Sequence, residues 1–145
     1  YISLPPEQFG GGYIDDFFQG KLDTQVHPYF EEISALRVSA HCLIERTGRI
    51  TQYVNFTDRA WHAGLSCFEG REKCNDFAIG IELEGSNEQP FTDKQYTALR
   101  ALTREIMRVY PHITKKRIVG HCDVSPGRKI DPGQYFDWQR YLQNI

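Results

Sequence analysis

Three side chains that can bind metal or move protons lie in one stretch near the end of the chain. Ile118 and Val119 predict a buried strand, and His121 comes directly after it. Lys129 and Asp131 follow in a stretch whose prolines and glycines exclude a continuous helix or strand. Imidazole and carboxylate groups are common zinc ligands, and a lysine can stabilise an oxyanion. This rigid loop therefore indicates a metal site or a catalytic site.

The same residues also allow a simpler interpretation. Asp131 could cap the turn that follows it, and His121 could be a half-buried histidine at the end of a strand. One histidine and one aspartate do not define a catalytic zinc site, because such sites normally use three protein ligands. The residue types alone leave both interpretations open.

A second candidate group is Glu82, which lies in the clearest predicted strand, residues 77–84. Alternation places Ile81 and Leu83 on one face and Gly80 and Glu82 on the other. Small residues beside Glu82 predict open space next to its carboxylate, which is where proton transfer to a substrate could occur. Outside such a setting, a carboxylate on a strand is more often simply solvated.

The helices that position these groups are predicted from apolar spacing and capping residues. A short helix begins at Tyr13 and ends before Gly20, and a second helix begins at Pro28. Thr92 and Gln95 form a capping box at the start of a longer helix. Its predicted apolar stripe consists of Tyr96, Leu99, Leu102, Ile106 and Val109. A short amphipathic helix is predicted over residues 136–142.

The strands are predicted where the apolar period changes to two. Residues 38–45 and 50–55 flank a turn that contains glycine and predict a β-hairpin. Residues 57–75 show no sustained period and predict a long surface loop, which in a compact domain is usually functional. With the strand at 77–84, these elements predict an α/β fold: a mixed central β-sheet flanked by helices.

Length, charge and cysteine usage narrow the class of protein. The 145 residues predict a single domain, residues 1–145, and a net charge of -2 gives no footprint for nucleic acid or an anionic membrane. No apolar run approaches the roughly 20 residues that span a bilayer, and no signal-peptide pattern is present. The four cysteines form no CxxC pair, which favours free thiols and a cytoplasmic location over two disulfides. We expect a monomer.

Six short motifs occur together and in order along the chain. They are residues 3–6 (SLPP), 39–44 (SAHCLI), 59–64 (RAWHAG), 79–85 (IGIELEG), 120–123 (GHCD) and 128–133 (RKIDPG). By these motifs the chain resembles the zinc amidase family that includes phage T7 lysozyme and the peptidoglycan recognition proteins. Within that family it is similar to the cytoplasmic amidases of Gram-negative bacteria. The resemblance covers essentially all of the chain and implies the fold of that family.

The resemblance also implies an activity. It implies Zn²⁺-dependent hydrolysis of the amide between (1,6-anhydro-)N-acetylmuramic acid and L-alanine in small soluble muropeptides. In the family this reaction recycles peptidoglycan and controls the induction of β-lactamase. The implied partner is thus a small molecule, with no nucleic acid and no membrane.

The family's roles transfer to individual positions where the motifs match. His121 and Asp131 match two of the three zinc ligands. Glu82 matches the residue that activates the attacking water, and Lys129 matches a lysine that stabilises the tetrahedral intermediate. Four further residues stand where related enzymes contact the sugar or the peptide: Trp61, Arg37, Asn75 and Arg128.

One family feature has no match in the sequence. The remaining zinc ligand of the family is a histidine at the end of its first strand, which corresponds to the position just before Tyr1. We expect that strand and that ligand upstream of Tyr1. His41 and His62 are internal alternatives, although the family places neither on zinc. The alternative function is a non-catalytic muropeptide-binding module that lacks this ligand.

Overall fold

A mixed three-stranded sheet lies at the centre of the computed structural model, which describes residues 1–143 and 145. The elements in chain order are α1 Tyr13–Phe18, α2 Pro28–Ile33, β1 Cys42–Ile44, β2 Ile50–Gln52, β3 Cys67–Phe68, β4 Arg71–Glu72, β5 Ile81–Leu83, α3 Asp93–Val109, α4 His121–Val124 and α5 Trp138–Gln143. The sheet order is β2-β1-β5, with β1–β2 antiparallel and β1–β5 parallel. The predicted α/β fold with a mixed sheet is confirmed.

Successive β1 residues point to opposite faces of the sheet, and helices pack on both faces. Leu43 packs in a buried cluster with residues of α1 and α2, including Ile14 and Phe30. Ile44 packs in a second cluster with residues of α3, including Leu99. The predicted helices at Tyr13, at Pro28 and near the end of the chain are confirmed. The sheet is therefore packed against α1 and α2 on one face and against α3 on the other.

The capping box predicted at the start of α3 is confirmed, and it also connects the helix to the sheet. Thr92 Oγ1 accepts from the Gln95 N–H at 3.1 Å, and the Thr92 N–H donates to Gln95 Oε1 at 3.0 Å. Gln95 is fully buried, and its Nε2 donates to the carbonyls of Ile44 and Glu84 at 3.1 and 2.8 Å. One side chain thus joins α3 to β1 and to the end of β5.

Replacing Gln95 by leucine is expected to lower the free energy of unfolding by about 3 kcal/mol, because two buried carbonyls lose their donor. Denaturant unfolding followed by circular dichroism measures the loss. Thr97→Ala is the matched control, since that hydroxyl makes one exposed bond to the Asp93 carbonyl on the same helix. Equal stability losses in the two variants would contradict the role assigned to Gln95.

Three details of the secondary structure differ from the prediction. Residues 67–72 form the small β3–β4 hairpin rather than an irregular loop, with positive φ at Glu69 and Gly70 in its turn. Val109, predicted in the apolar stripe of α3, is 57% exposed because the helix ends there. The predicted hairpin strands and the strand at 77–84 are present but shorter, as β1, β2 and β5.

The buried strand predicted immediately before His121 is wrong. Residues 118–120 form no strand, and Val119 is 39% exposed. β-branched residues favour a strand only when another strand supplies the hydrogen bonds, and no strand of the described residues pairs with this segment. Instead His121 begins the one-turn helix α4, with the Asp123 carboxylate accepting from the Gly120 N–H at 2.7 Å.

Two general expectations also meet the structure. All four cysteines are free, as predicted. None of the helices in the described part of the chain is long and apolar enough to cross a membrane.

Candidate active site

Glu82 stands at the middle of β5 and faces a cavity of about 510 Å³. The cavity lies between β5 and residues 118–121, with apolar residues of α3 also in its lining. Glu82 Oε2 is buried and makes no hydrogen bond of good geometry within the described residues. Its close contact is ionic, 3.1 Å from the amino nitrogen of Tyr1. Within the described residues, this buried oxygen therefore has the Tyr1 nitrogen as its close polar partner and lies at the wall of the cavity.

His121 and Asp131 meet beside Glu82. The His121 Nδ1 lies 3.1 Å from Asp131 Oδ2, and both side chains are about one-sixth exposed. The same Asp131 oxygen lies 3.6 Å from the Tyr1 amino nitrogen that contacts Glu82. Burial raises the pKa of Asp131, but the hydrogen bond with His121 and the nearby positive charge outweigh it, and the pKa is about 2. The two predicted ligands and the predicted base therefore converge on one point.

The orientation of the His121 imidazole follows from its second nitrogen. Nε2 lies 3.0 Å from the carbonyl oxygen of Ala63. The carbonyl can only accept, so this contact is a hydrogen bond in every ring form that carries a hydrogen on Nε2. Nδ1 lies on the Asp131 side of the ring.

The donor set fits two positions of a zinc site. Two ligands about 2.0–2.2 Å from a tetrahedral zinc ion stand about 3.3–3.6 Å apart, close to the observed Nδ1–Oδ2 separation. An imidazole with an anchored Nε2–H and a carboxylate are ligands that zinc prefers. No group of three such residues that could hold a metal occurs among the described residues. His121 and Asp131 therefore supply two of the three protein ligands that a catalytic site normally uses.

Both internal histidines, His41 and His62, are hydrogen-bonded to backbone groups. His41 is buried, its Nδ1 accepts from the Gly80 N–H at 3.0 Å, and its Nε2 lies 3.0 Å from the Asp58 carbonyl. His62 Nε2 lies 3.1 Å from the Ala78 carbonyl, and its ring lies against Gly80. A side chain at Gly80 would overlap that ring. The open space predicted beside Glu82 is therefore wrong at Gly80, since His62 fills it.

Because His62 is buried, it makes stability depend on pH. Burial lowers its pKa from 6.5 to about 4, against the opposing effect of its hydrogen bond with Ala78. Between these pH values the unfolded chain binds a proton that the folded protein does not, so stability is present above pH 6.5 and is lost as the pH falls towards 4. We expect a loss of about 2 kcal/mol between pH 7 and pH 5 from this group.

Urea unfolding of the wild type and of His62→Gln at pH 7 and pH 5 checks this expectation. The variant lacks the group and should lose less stability on acidification. An identical pH dependence in both proteins would contradict it.

Two predicted site residues make no contact with this cluster. Lys129 is exposed, and within the described residues its side chain has no hydrogen bond or ion pair. The Arg37 guanidinium donates to the carbonyls of Ser34 and Leu36 at 3.0 and 3.1 Å, at the end of α2. Lys129 thus lies at the surface, and Arg37 is bonded to the end of α2.

Predicted sugar- and peptide-binding residues lie on the neighbouring loop. Trp61 is 52% exposed, and the Arg59 guanidinium lies 4.0 Å from the centroid of its ring. Arg59 is held there by Asp76 at 3.2 Å. One face of the indole is covered and the other is available for stacking. Asn75 is 7% exposed, and its Oδ1 accepts from two backbone N–H groups of this loop.

Arg128 and Ser125 connect the segment that follows His121 to the loop that carries Ala63 and Leu65. Arg128 Nη2 donates to the Ala63 carbonyl at 2.5 Å, and Ser125 Oγ donates to the Leu65 carbonyl at 2.6 Å. Ser125 was not identified in the sequence. Its spacing of four residues from His121 is a helical signal, but the one-turn helix between them was not predicted.

Comparison with known proteins finds one matching family and several similar proteins. A family model described as N-acetylmuramoyl-L-alanine amidase matches residues 13–134. The 1,6-anhydro-N-acetylmuramyl-L-alanine amidase AmpD of Haemophilus influenzae is 79% identical over 145 residues, which is 100% of this chain and 79% of that protein.

Solved structures agree with this similarity. A crystal structure of a Se-Met AmpD derivative matches with a TM-score of 0.96 at 54% identity, covering 99% of this chain and 80% of that one. The Escherichia coli amidase AmiD, solved with the substrate anhydro-N-acetylmuramic acid-L-Ala-D-gamma-Glu-L-Lys, matches with a TM-score of 0.71 at 35% identity. That match covers 81% of this chain and 51% of the AmiD chain.

Proposed function

The chain belongs to the N-acetylmuramoyl-L-alanine amidase family, and on that basis we propose that it hydrolyses the amide between 1,6-anhydro-N-acetylmuramic acid and L-alanine in soluble muropeptides. One observation of the site carries the proposal: the side chains of Glu82, His121 and Asp131 lie together at one cavity. The substrate in the AmiD complex contains the same sugar–alanine linkage, which supports this class of substrate.

We propose Zn²⁺ as the cofactor, held by His121 Nδ1 and Asp131. When bound, zinc lowers the pKa of a water ligand to about 7 and polarises the substrate carbonyl. Glu82 then acts through its buried Oε2, which accepts the proton of the attacking water. Glu82 subsequently returns this proton to the alanine nitrogen, because an amine leaves only when it is protonated.

The remaining predicted residues have roles in binding and charge stabilisation. Lys129 is exposed, and its ammonium group would stabilise the oxyanion that forms from the carbonyl oxygen. The open face of Trp61 would stack on the sugar ring. Arg37, Asn75 and Arg128 would contact the sugar or the carboxylates of the stem peptide, since arginine pairs bidentately with carboxylates.

We further propose that a histidine joined to Tyr1 at its amino end is the third ligand, at the end of a strand that runs along β5. Ile2 already pairs with this edge of β5, parallel at Glu84, and the Ile2 N–H donates to the Leu83 carbonyl at 3.0 Å. A residue joined to the Tyr1 nitrogen would lie beside Glu82 and Asp131. Zinc analysis of protein with and without this histidine tests the proposal, and equal zinc content would contradict it.

In the cell, we propose that this reaction recycles peptidoglycan fragments and lowers the muropeptide signal that induces β-lactamase. The free thiols favour the cytoplasm as its location. We propose that the protein acts as a monomer.

The experiment that tests the proposed reaction supplies anhydro-N-acetylmuramyl peptide to the purified protein and follows products by chromatography and mass spectrometry. Release of anhydro-N-acetylmuramic acid and free peptide, lost with a chelator and restored by zinc, is the expected result. Binding of the muropeptide without hydrolysis by zinc-containing protein would instead support the binding-module alternative.

A further inference from the structure

We propose that Ser125 and Arg128 are positioning residues for His121. They hold the Ala63 carbonyl against the imidazole Nε2, and so determine which ring nitrogen faces Asp131. The inference rests on the proposed zinc function in one respect, because its consequence is tighter metal binding. Its geometry stands without the metal.

The Ala63 carbonyl oxygen is the centre of this arrangement. It lies 2.5 Å from Arg128 Nη2, 3.0 Å from His121 Nε2 and 3.5 Å from Ser125 Oγ. Arg128 Nη2 and His121 Nε2 lie 3.3 Å apart, so both reach this oxygen from the same side. The oxygen orients the imidazole through its contact with Nε2.

Ser125 and Arg128 support each other around a second carbonyl. Ser125 Oγ donates to the Leu65 carbonyl at 2.6 Å, and Arg128 Nη2 donates to the same carbonyl at 3.0 Å. Arg128 Nη2 also lies 2.8 Å from Ser125 Oγ, so its two hydrogens are shared among three acceptors. We name these two side chains with the two carbonyls of Ala63 and Leu65 the clasp. Ser125 is 4% exposed, so its hydroxyl is fixed within the protein.

The loop that carries these carbonyls is fixed from its other side. Asn75 Oδ1 accepts from the N–H groups of His62 and Ala63 at 3.0 and 2.8 Å. Gly64 has a φ of 59°, and a side chain there would approach Arg128 Nη2 to 3.1 Å. Glycine therefore allows both the left-handed backbone and the close approach of the guanidinium.

The single turn of α4 positions Ser125 relative to His121. The Ser125 N–H donates to the His121 carbonyl at 2.9 Å, so both residues face the same loop. The His121 side chain is bonded to the Ala63 carbonyl, and Ser125, one turn later, is bonded to the Leu65 carbonyl of the same loop. These two contacts restrict rotation of the imidazole.

The chemical consequence concerns the ligand atom. A histidine that donates its other N–H to a fixed acceptor has a defined tautomer and ring orientation. Loss of such an outer contact typically costs about 10–100-fold in metal affinity. Because Ser125 lies outside the proposed substrate contacts, its effect on zinc is separable from an effect on substrate binding.

Ser125→Ala is the test variant, with Ser66→Ala as its matched control. Ser66 lies on the same loop, but its hydroxyl donates to the Gly64 carbonyl and not to the clasp. Zinc affinity is measured by competition with a chromophoric chelator. NMR contacts of the His121 ring protons in the zinc-free protein report which ring nitrogen faces Asp131.

We expect Ser125→Ala to bind zinc about 10–100-fold more weakly and to show a mixture of ring orientations. Ser66→Ala should match the wild type in both readouts. Wild-type affinity and an unchanged ring orientation in Ser125→Ala would overturn the inference. If Ser125→Ala does not fold, Arg128→Gln takes its place: it removes the shorter contact with the Ala63 carbonyl, and neither readout involves substrate.

The two proposals fail in different ways. Absence of zinc binding in the wild type would overturn the proposed metal function, and the NMR result would still decide whether the clasp fixes His121. Zinc binding in the wild type with no change in Ser125→Ala would overturn the clasp alone.

Discussion

Glu82→Gln is expected to lower kcat by about 10²–10⁴-fold, the usual contribution of a positioned general base. The amide has nearly the shape of the carboxylate but cannot accept the proton of the attacking water. Since Glu82 is not a proposed zinc ligand, zinc content and KM should stay close to the wild type. Initial rates on an anhydromuropeptide, with zinc measured on the same sample, check this result.

Glu84→Gln provides a control on the same face of the same segment. The Glu84 carboxylate is buried and accepts from the N–H groups of Gly10 and Arg46 at 2.6 and 2.9 Å. These bonds connect the amino-terminal loop to the β1–β2 hairpin, so the substitution should lower stability and leave kcat of the folded protein unchanged. If Glu84→Gln lost kcat and Glu82→Gln kept it, the assignment of the base would be wrong.

Asp131→Asn is expected to lower zinc affinity by more than about 100-fold, beyond the effect of losing an outer contact. The substitution removes the negative charge that compensates the cation, and the low pKa of Asp131 means that this charge is present throughout the neutral range. Hydrolysis should fall in parallel. Competition with a chelator measures the affinity, and metal analysis after dialysis measures the zinc retained.

Asp123→Asn is the matched control in the same segment. Asp123 accepts from the Gly120 N–H at the start of α4, and the asparagine oxygen can still accept there. This variant should retain zinc and activity. Zinc retention in Asp131→Asn at the wild-type level would exclude Asp131 as a ligand.

Much of the fold was predictable because its signals are local. The capping box at Thr92 and the proline at the start of α2 act within one helical turn, and both predictions are confirmed. The β1–β2 hairpin likewise follows from alternation around a short turn. The strand predicted at Ile118 and Val119 failed because strand formation requires a partner elsewhere in the chain.

The sequence by itself determined which residue types are available for the chemistry: a histidine and an aspartate in a stiff loop, and a carboxylate on a strand. The family resemblance placed Glu82, His121 and Asp131 in one site, and the tertiary structure showed the contacts that join them, because contacts between distant segments leave no periodic signal in the chain. The tertiary structure alone decided that His62 fills the space beside Gly80 and that the Ala63 carbonyl orients His121. Every residue carries a carbonyl, so only the folded backbone shows which one a side chain meets.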